Sequence, residues 1–156
     1  MTAPTVRAAT AADIPAMSVV LTASIRELCQ ADHQNRSEVL SGWLRNKSEA
    51  GVRDMLESEP TTLYVAEIEG QVAGVGAAMN DGSIRLNYVS PDFRFRGVSR
   101  ALMAHMEEAL RTAGFEFATL NSSTTAHRFY QEGGWVDVGE PQTGLTLVAY
   151  PMRKAL

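Results

Sequence analysis

The hydrophobic period changes at Pro60, and that change constrains the fold more than any other feature of the chain. Before it, apolar residues recur at three- and four-residue steps. Met17, Val20, Leu21, Ile25 and Leu28 form one stripe, and Val39, Leu40, Trp43 and Leu44 another. The spacing predicts a first helix from about Asp13 to Gln30, with Thr10 or Asp13 as its cap and Pro15 in its first turn. A second helix restarts near Ser37, and a third short run, "SEAGVRDMLES", stops before Pro60. A short strand around Val6 to Ala8 precedes them all.

After Pro60 the period is two. "TTLYVAEIEG", "QVAGVGAAMNDG" and "SIRLNYVSP" read as an antiparallel meander turning at Glu69-Gly70 and Asp81-Gly82. The helical period then returns in "GVSRALMAHMEEALRTAG", where Val98, Leu102, Met106 and Leu110 make a four-residue stripe and Gly114 supplies the stop. "FEFATLNSS" is a strand, "TTAHRFYQEG" a short helix, and "GWVDVG" and "LTLVAYPMR" two closing strands. Such an order is mixed α/β, with a strand-helix-strand crossover in the middle.

Size and charge narrow the function classes. A chain of 156 residues, 45% hydrophobic, suits one domain with one sizeable core. With 14 Lys and Arg against 18 Asp and Glu the net charge is −4, and the basic residues are scattered, which argues against a nucleic-acid partner. Cys29 is the lone cysteine, so no intramolecular disulfide forms and a reducing, cytoplasmic setting is expected. Neither a signal-peptide pattern nor a run of about 18 apolar residues is present, so no membrane partner is expected.

One basic cluster stands apart, "RFRGVSR" from Arg94 to Arg100. Pro91 interrupts the preceding strand, and the loop runs directly into the long helix. Free amides and the positive end of the helix dipole gather there, Gly97 lets the backbone approach closely, and Arg94 and Arg96 add charge. A bound pyrophosphate and an ordinary solvated basic loop both satisfy these residues. The common nucleotide fingerprints are missing: no G-x-x-x-x-G-K-[ST] occurs, and "GVGAAM" lies in a strand pattern without the third glycine. Cys29 and His33, at i and i+4, lack the further ligands of a metal site, and no metal is expected.

"VSPDFRFRGVSRALM" resembles the acyl-CoA pyrophosphate motif of the GNAT superfamily of N-acetyltransferases, V-x-P-x-x-[QR]-x-x-G-x-[GA] leading into a helix. "NSSTTAHRFYQEGGW" is similar to the family's second signature, and "VRAATAADIPAM" resembles its first strand and helix. The resemblance spans almost the whole chain. It implies a central, twisted, mostly antiparallel sheet of about seven strands, splayed in the middle and flanked by about four helices.

It also implies acetyl-CoA as co-substrate. Asn87, Tyr88 and Val89 would offer backbone to the acyl-pantetheine arm, while Arg94, Phe95, Arg96, Gly97, Val98 and Ser99 wrap the pyrophosphate, with Arg100, Ser123 and Ala126 beside it. Phe95 stands where the family often has glycine, Ser99 where it has glycine or alanine, and Ser123 where many members have asparagine. Ala118 replaces the carboxylate that some members use as a base.

Tyr130 matches the tyrosine that protonates the departing thiolate, a role suited to a phenol of pKa about 10; core packing is its other reading. The implied reaction is direct acetyl transfer to a primary amine of a small molecule or peptide, with a non-catalytic acyl-CoA-binding or sensing module as the alternative. His33 and Trp43 are candidates to line the acceptor pocket, and His33, Glu67 or a water relay to take the amine's proton. Monomer and homodimer are both left open.

Overall fold

The computed structural model describes residues 2–143 and 147–156. Four strands, β1 (Thr5–Ala8), β2 (Thr61–Ile68), β3 (Gln71–Met79) and β4 (Ile84–Val89), form one antiparallel sheet in chain order. A second sheet has the order β5 (Phe117–Ser122), β8 (Val148–Ala155), β6 (Val136–Asp137), and β7 (Gln142–Thr143) also pairs with β8. Its pairings are antiparallel too. The helices are α1 (Ile14–Leu28), α2 (Gln30–His33), α3 (Ser37–Leu44), α4 (Glu49–Glu57), α5 (Val98–Thr112) and α6 (His127–Glu132).

The expected helix over Asp13–Gln30 breaks at Cys29, whose φ of −111° and ψ of 27° leave the helical region, and α2 is a separate turn. Gln34 and Asn35 then reverse the chain with φ of 51° and 58°. The strand expected over "GWVDVG" shortens to two residues, and β7 has no counterpart in the sequence pattern. Leu145 and Thr146 of the expected "LTLVAYPMR" strand lie outside the described residues. Among the described residues there are eight strands and six helices against the expected about seven and about four, and additions such as the two-residue β7 and the one-turn α2 have too few residues to show a period.

Among the described residues one backbone bridge links the two sheets, just before β4 and within β5. Ser83 and Thr119 form a parallel bridge, with the Thr119 amide donating to the Gly82 carbonyl at 3.1 Å. Beyond that bridge the strands separate. The pairing of β3 with β4 slips at Ala77/Ala78, leaving Arg85 as an extra residue in β4, and a bulge of this kind bends and twists its strand. The edge of β4 beyond it therefore faces a gap rather than a neighbouring ladder.

Core clusters lie on both faces of β3. Val75 and Ala77 pack with Ile14, Met17, Leu21 and Val52 from α1 and α4. On the other face, the predicted stripe Val98, Leu102, Met106 and Leu110 of α5 is buried with Ala118, Leu120, Trp135 and Met152, which ties the two sheets together. The "GVG" glycines serve that contact: a Cβ on Gly74 would lie 2.4 Å from Val98 Cγ1, and one on Gly76 would lie 2.9 Å from the thioether end of Met106. Close seating of α5 on β3 positions the helix start at the mouth of the gap.

Replacing Gly74 by Ala should destabilise the protein by about 1–3 kcal/mol, because the methyl meets a stiff β-branched side chain and the Tyr88 carbonyl at 3.1 Å. The Gly76→Ala variant should lose less than about 1 kcal/mol, since the Met106 end can move and alanine lowers the unfolded chain's entropy. Urea midpoints of the two variants measure the difference. Equal losses would mean that α5 is not seated through Gly74.

Candidate active site

Two cavities meet at Tyr130. One, of about 210 Å³, lies in the gap and is lined by Asp32 of α2, Trp43 of α3, residues 84–88 of β4, residues 120–122 of β5, Ser123, Ala126 and Tyr130. The other, of about 200 Å³, lies between α5 and α6 and is lined by Arg100, Met103, Ala104 and Glu107 on one side and Phe129, Tyr130 and Trp135 on the other. Tyr130 is buried on α6 and packs edge-on against Phe129 and Trp135.

The Tyr130 hydroxyl accepts a 3.1 Å hydrogen bond from Asn87 Nδ2, which spans the gap from β4. Because the amide donates, the phenolic proton remains available for another acceptor. Burial pushes the Tyr130 pKa above the ordinary phenol value, and the bond from Asn87 partly opposes that rise. Among the described residues Asn87 Oδ1 is buried without a hydrogen-bond partner, which leaves an unused acceptor in the gap. Tyr88, which lines the same cavity, accepts at its hydroxyl from Trp43 Nε1 at 3.1 Å; burial raises its pKa well above the phenol range.

The predicted anion loop leads to α5. Ser90 Oγ accepts from the Asp92 amide, closing a 3-10 turn over Pro91–Phe93, and Gly97 then takes φ +79° as the residue before the helix. No side chain caps α5, and its first backbone bond is from Ala101 to Gly97, so the amides of Val98, Ser99 and Arg100 precede the ladder. Arg94, Arg96 and Arg100 form no ion pair among the described residues. Unused amides, a helix dipole and unpaired guanidinium groups together fit a pyrophosphate.

Phe95 adopts φ +62° and is 92% exposed, so its side chain packs on nothing but the Arg94 guanidinium, 4.7 Å from the ring centre. A Cβ on Gly97 would meet no protein atom within 4 Å, which makes its positive φ the requirement at that position. Val98, the first residue of α5, is buried against β3, whereas Arg100 in the same turn is exposed. Ser123 Oγ accepts from the Ala126 amide at 3.2 Å, and both residues line the cavity in the gap.

The sequence model of the acetyltransferase (GNAT) domain family matches residues 30–156. The chain belongs to that family. It is 33% identical over 82 residues to an acetyltransferase of Pectobacterium atrosepticum, covering 51% of this chain and 57% of that protein. An acetyltransferase of Sodalis glossinidius is 32% identical over 92 residues, covering 53% of this chain and 65% of that protein. Among solved structures, a GCN5-related N-acetyltransferase from Rhodopseudomonas palustris superposes with a TM-score of 0.89 at 24% identity, covering 100% of this chain and 98% of that one. The PaiA N-acetyltransferase of Thermoplasma acidophilum, solved in complex with coenzyme A, gives 0.81 at 14% identity, with 99% of each chain covered. These similarities establish the GNAT fold, whose central splay is the gap between β4 and β5.

Two expected pocket residues are elsewhere in this GNAT chain. His33 is fully buried: Nε2 donates to the Ile25 carbonyl at 2.8 Å and Nδ1 accepts from the Asn35 amide at 2.9 Å. It caps an α1 carbonyl left over at the helix end, so neither nitrogen faces the cavity. Glu67 pairs with Arg7 at 2.6 Å, where β1 meets β2, away from the gap. Neither is positioned to receive an amine proton in the gap, whereas Trp43 does line it. Asp32 was not singled out by the pattern, because it sits in the polar, non-periodic "QADHQNR".

Among the described residues no group of three or more His, Cys, Asp and Glu is placed to hold a metal, and no helix is long and apolar enough to cross a membrane. Cys29 is buried and free, its thiol pKa pushed up to about 12 chiefly by burial.

The His33→Ala variant should lose roughly 2–4 kcal/mol of stability, since it leaves a buried carbonyl and amide unpaired. Thermal unfolding together with the apparent KM for an amine would separate the roles. A folded variant of unchanged stability and raised KM would return His33 to the pocket.

Proposed function

We propose that the chain is an acetyl-CoA-dependent N-acetyltransferase that moves an acetyl group directly to a primary amine of a small molecule or peptide. The observation that carries this reading is Tyr130, a residue that lines both cavities and whose hydroxyl keeps its proton free while Asn87 donates to its oxygen.

The amides of Val98, Ser99 and Arg100, with Arg94 and Arg96, would hold the pyrophosphate of acetyl-CoA. Bound there, acetyl-CoA supplies a thioester carbonyl activated for attack by an amine. The open edge of β4 around Asn87, Tyr88 and Val89 offers backbone groups to the acyl-pantetheine arm and to the developing oxyanion. Tyr130 donates its proton as the carbon–sulfur bond breaks. An alkylamine of pKa about 10 arrives charged and must first lose a proton, which with His33 and Glu67 engaged elsewhere passes to water.

The loop and the tyrosine are tested separately. Gly97→Val forces a β-branched residue to φ +79°, so calorimetry should show CoA binding weakened at least about tenfold. Unchanged affinity in a folded variant would remove the loop from the cofactor site. Tyr130→Phe keeps the ring and should lower kcat by roughly 10- to 1,000-fold in a thiol-release assay, with CoA affinity changed by less than about threefold. Because burial raises the wild-type phenol's pKa above the ordinary phenol value, its acid form persists to higher pH than a solvent-exposed tyrosine's, and a pH profile of kcat should show any alkaline loss from this group displaced upward accordingly. Wild-type turnover by the Phe variant where chemistry limits kcat would make Tyr130 a packing residue. Absence of thiol release across amines, polyamines, amino acids and peptides, with CoA still bound, would favour an acyl-CoA-binding module.

A further inference from the structure

Asp32 is the sole carboxylate among the described residues that line the cavity in the gap. Its Oδ1 accepts from the Thr124 amide at 2.7 Å, and its Oδ2 from the Thr125 amide at 3.1 Å and from the Thr125 hydroxyl. These contacts join α2 to the loop before α6, but all three donors are neutral. Among the described residues Asp32 has no ion-pair partner. A carboxylate offers about four lone-pair sites, so one remains after three bonds.

Aromatic rings complete the surroundings, for Trp43 and Tyr88 line the same cavity and are joined by the bond from Nε1 to the hydroxyl. The negative charge of Asp32 reaches this corner, contributing to the upward displacement of both the Tyr88 and Cys29 pKa values. Arg85, the one cationic residue on the lining, is largely exposed and lies within 3.9 Å of Asp81 while donating to Ser83. A fixed anion without a counter-cation, beside two electron-rich rings, favours an organic cation over a neutral or anionic guest.

We propose that Asp32 with Trp43 and Tyr88 forms an alkylammonium-binding site that selects cationic amines as acceptors. The proposal deepens the acceptor reading above and depends on it for its place in catalysis, but binding can be measured without turnover. Asp32 determines specificity here; the departing proton still passes to water.

The experiment is a ligand-observed NMR titration with pentylammonium and with 1-pentanol, with and without saturating CoA, at pH 7, where the amine is charged. The wild-type chain should bind the ammonium about 5- to 30-fold more tightly than the alcohol, and the preference should fall as salt rises. Asp32→Asn should bring the two within about twofold. Thr125→Val, which removes a contact to Asp32 but keeps the charge, should retain the preference. No preference in the wild type, or a preference that survives Asp32→Asn, overturns the proposal. Should the Asn variant fail to fold, the wild-type salt series decides: a preference independent of ionic strength also overturns it. An Asp32-dependent preference without thiol release from any amine would leave this site standing and fail the acetyltransferase reading instead.

Discussion

Everything proposed for this chain depends on two parallel neighbours, β4 and β5, that begin to pair and then stop. After the bridge between Ser83 and Thr119, the bulge at Arg85 carries β4 away. A strand edge buried without a partner is costly, because each unpaired backbone group loses its hydrogen bond to water. The protein tolerates that cost only where something else can fill the space. Side chains do part of this, with Asn87 reaching across to Tyr130, yet Asn87 Oδ1 remains unsatisfied.

Holding such a gap open requires rigid walls. On one side, α5 lies against β3 at a distance set by Gly74 and Gly76, and its stripe of Val98, Leu102, Met106 and Leu110 reaches the second sheet. The same helix carries the uncapped first turn, so the packing constraint and the proposed anion site share α5. On the other side, α1 packs through Ile14, Met17 and Leu21, and Arg7 clamps its entrance by bonding both Asp13 and Glu67. That clamp holds the Asp13 carboxyl down to about 2, its hydrogen bond to the guanidinium being the largest cause. Asp13 therefore contributes fully to stability above the ordinary carboxylate pKa, a contribution lost progressively as pH falls from that value through about 2.

The segment after α1 acquires its shape from polar contacts at its surface and interior as well as from the burial of Cys29 and Val39. His33 closes the end of α1, Asp32 is drawn to the amides of Thr124 and Thr125, and Trp43 reaches Tyr88. Each contact spans many residues of sequence, and together they bring α2 and α3 over the gap. The charge at Asp32 and the rings beside it are consequently parts of the cavity wall instead of solvated surface.

The amino-acid order alone was sufficient for the parts governed by short-range periodicity. The change of period at Pro60, the turns at Glu69-Gly70 and Asp81-Gly82 and the α5 stripe all lie within windows of a few residues, where backbone sterics and one-sided burial decide conformation. The loop from Arg94 to Gly97 was legible for the same reason, since a glycine before a helix stripe marks its own local geometry. Only the tertiary structure decided which polar side chains face the cavity. His33 and Asp32 are adjacent in sequence and equally polar, yet one is spent on an α1 carbonyl and the other lines the gap. Glu67 is likewise claimed by Arg7, sixty residues away. Side-chain partners of that kind are chosen by long-range packing, and a pattern of periods three, four and two carries no record of them.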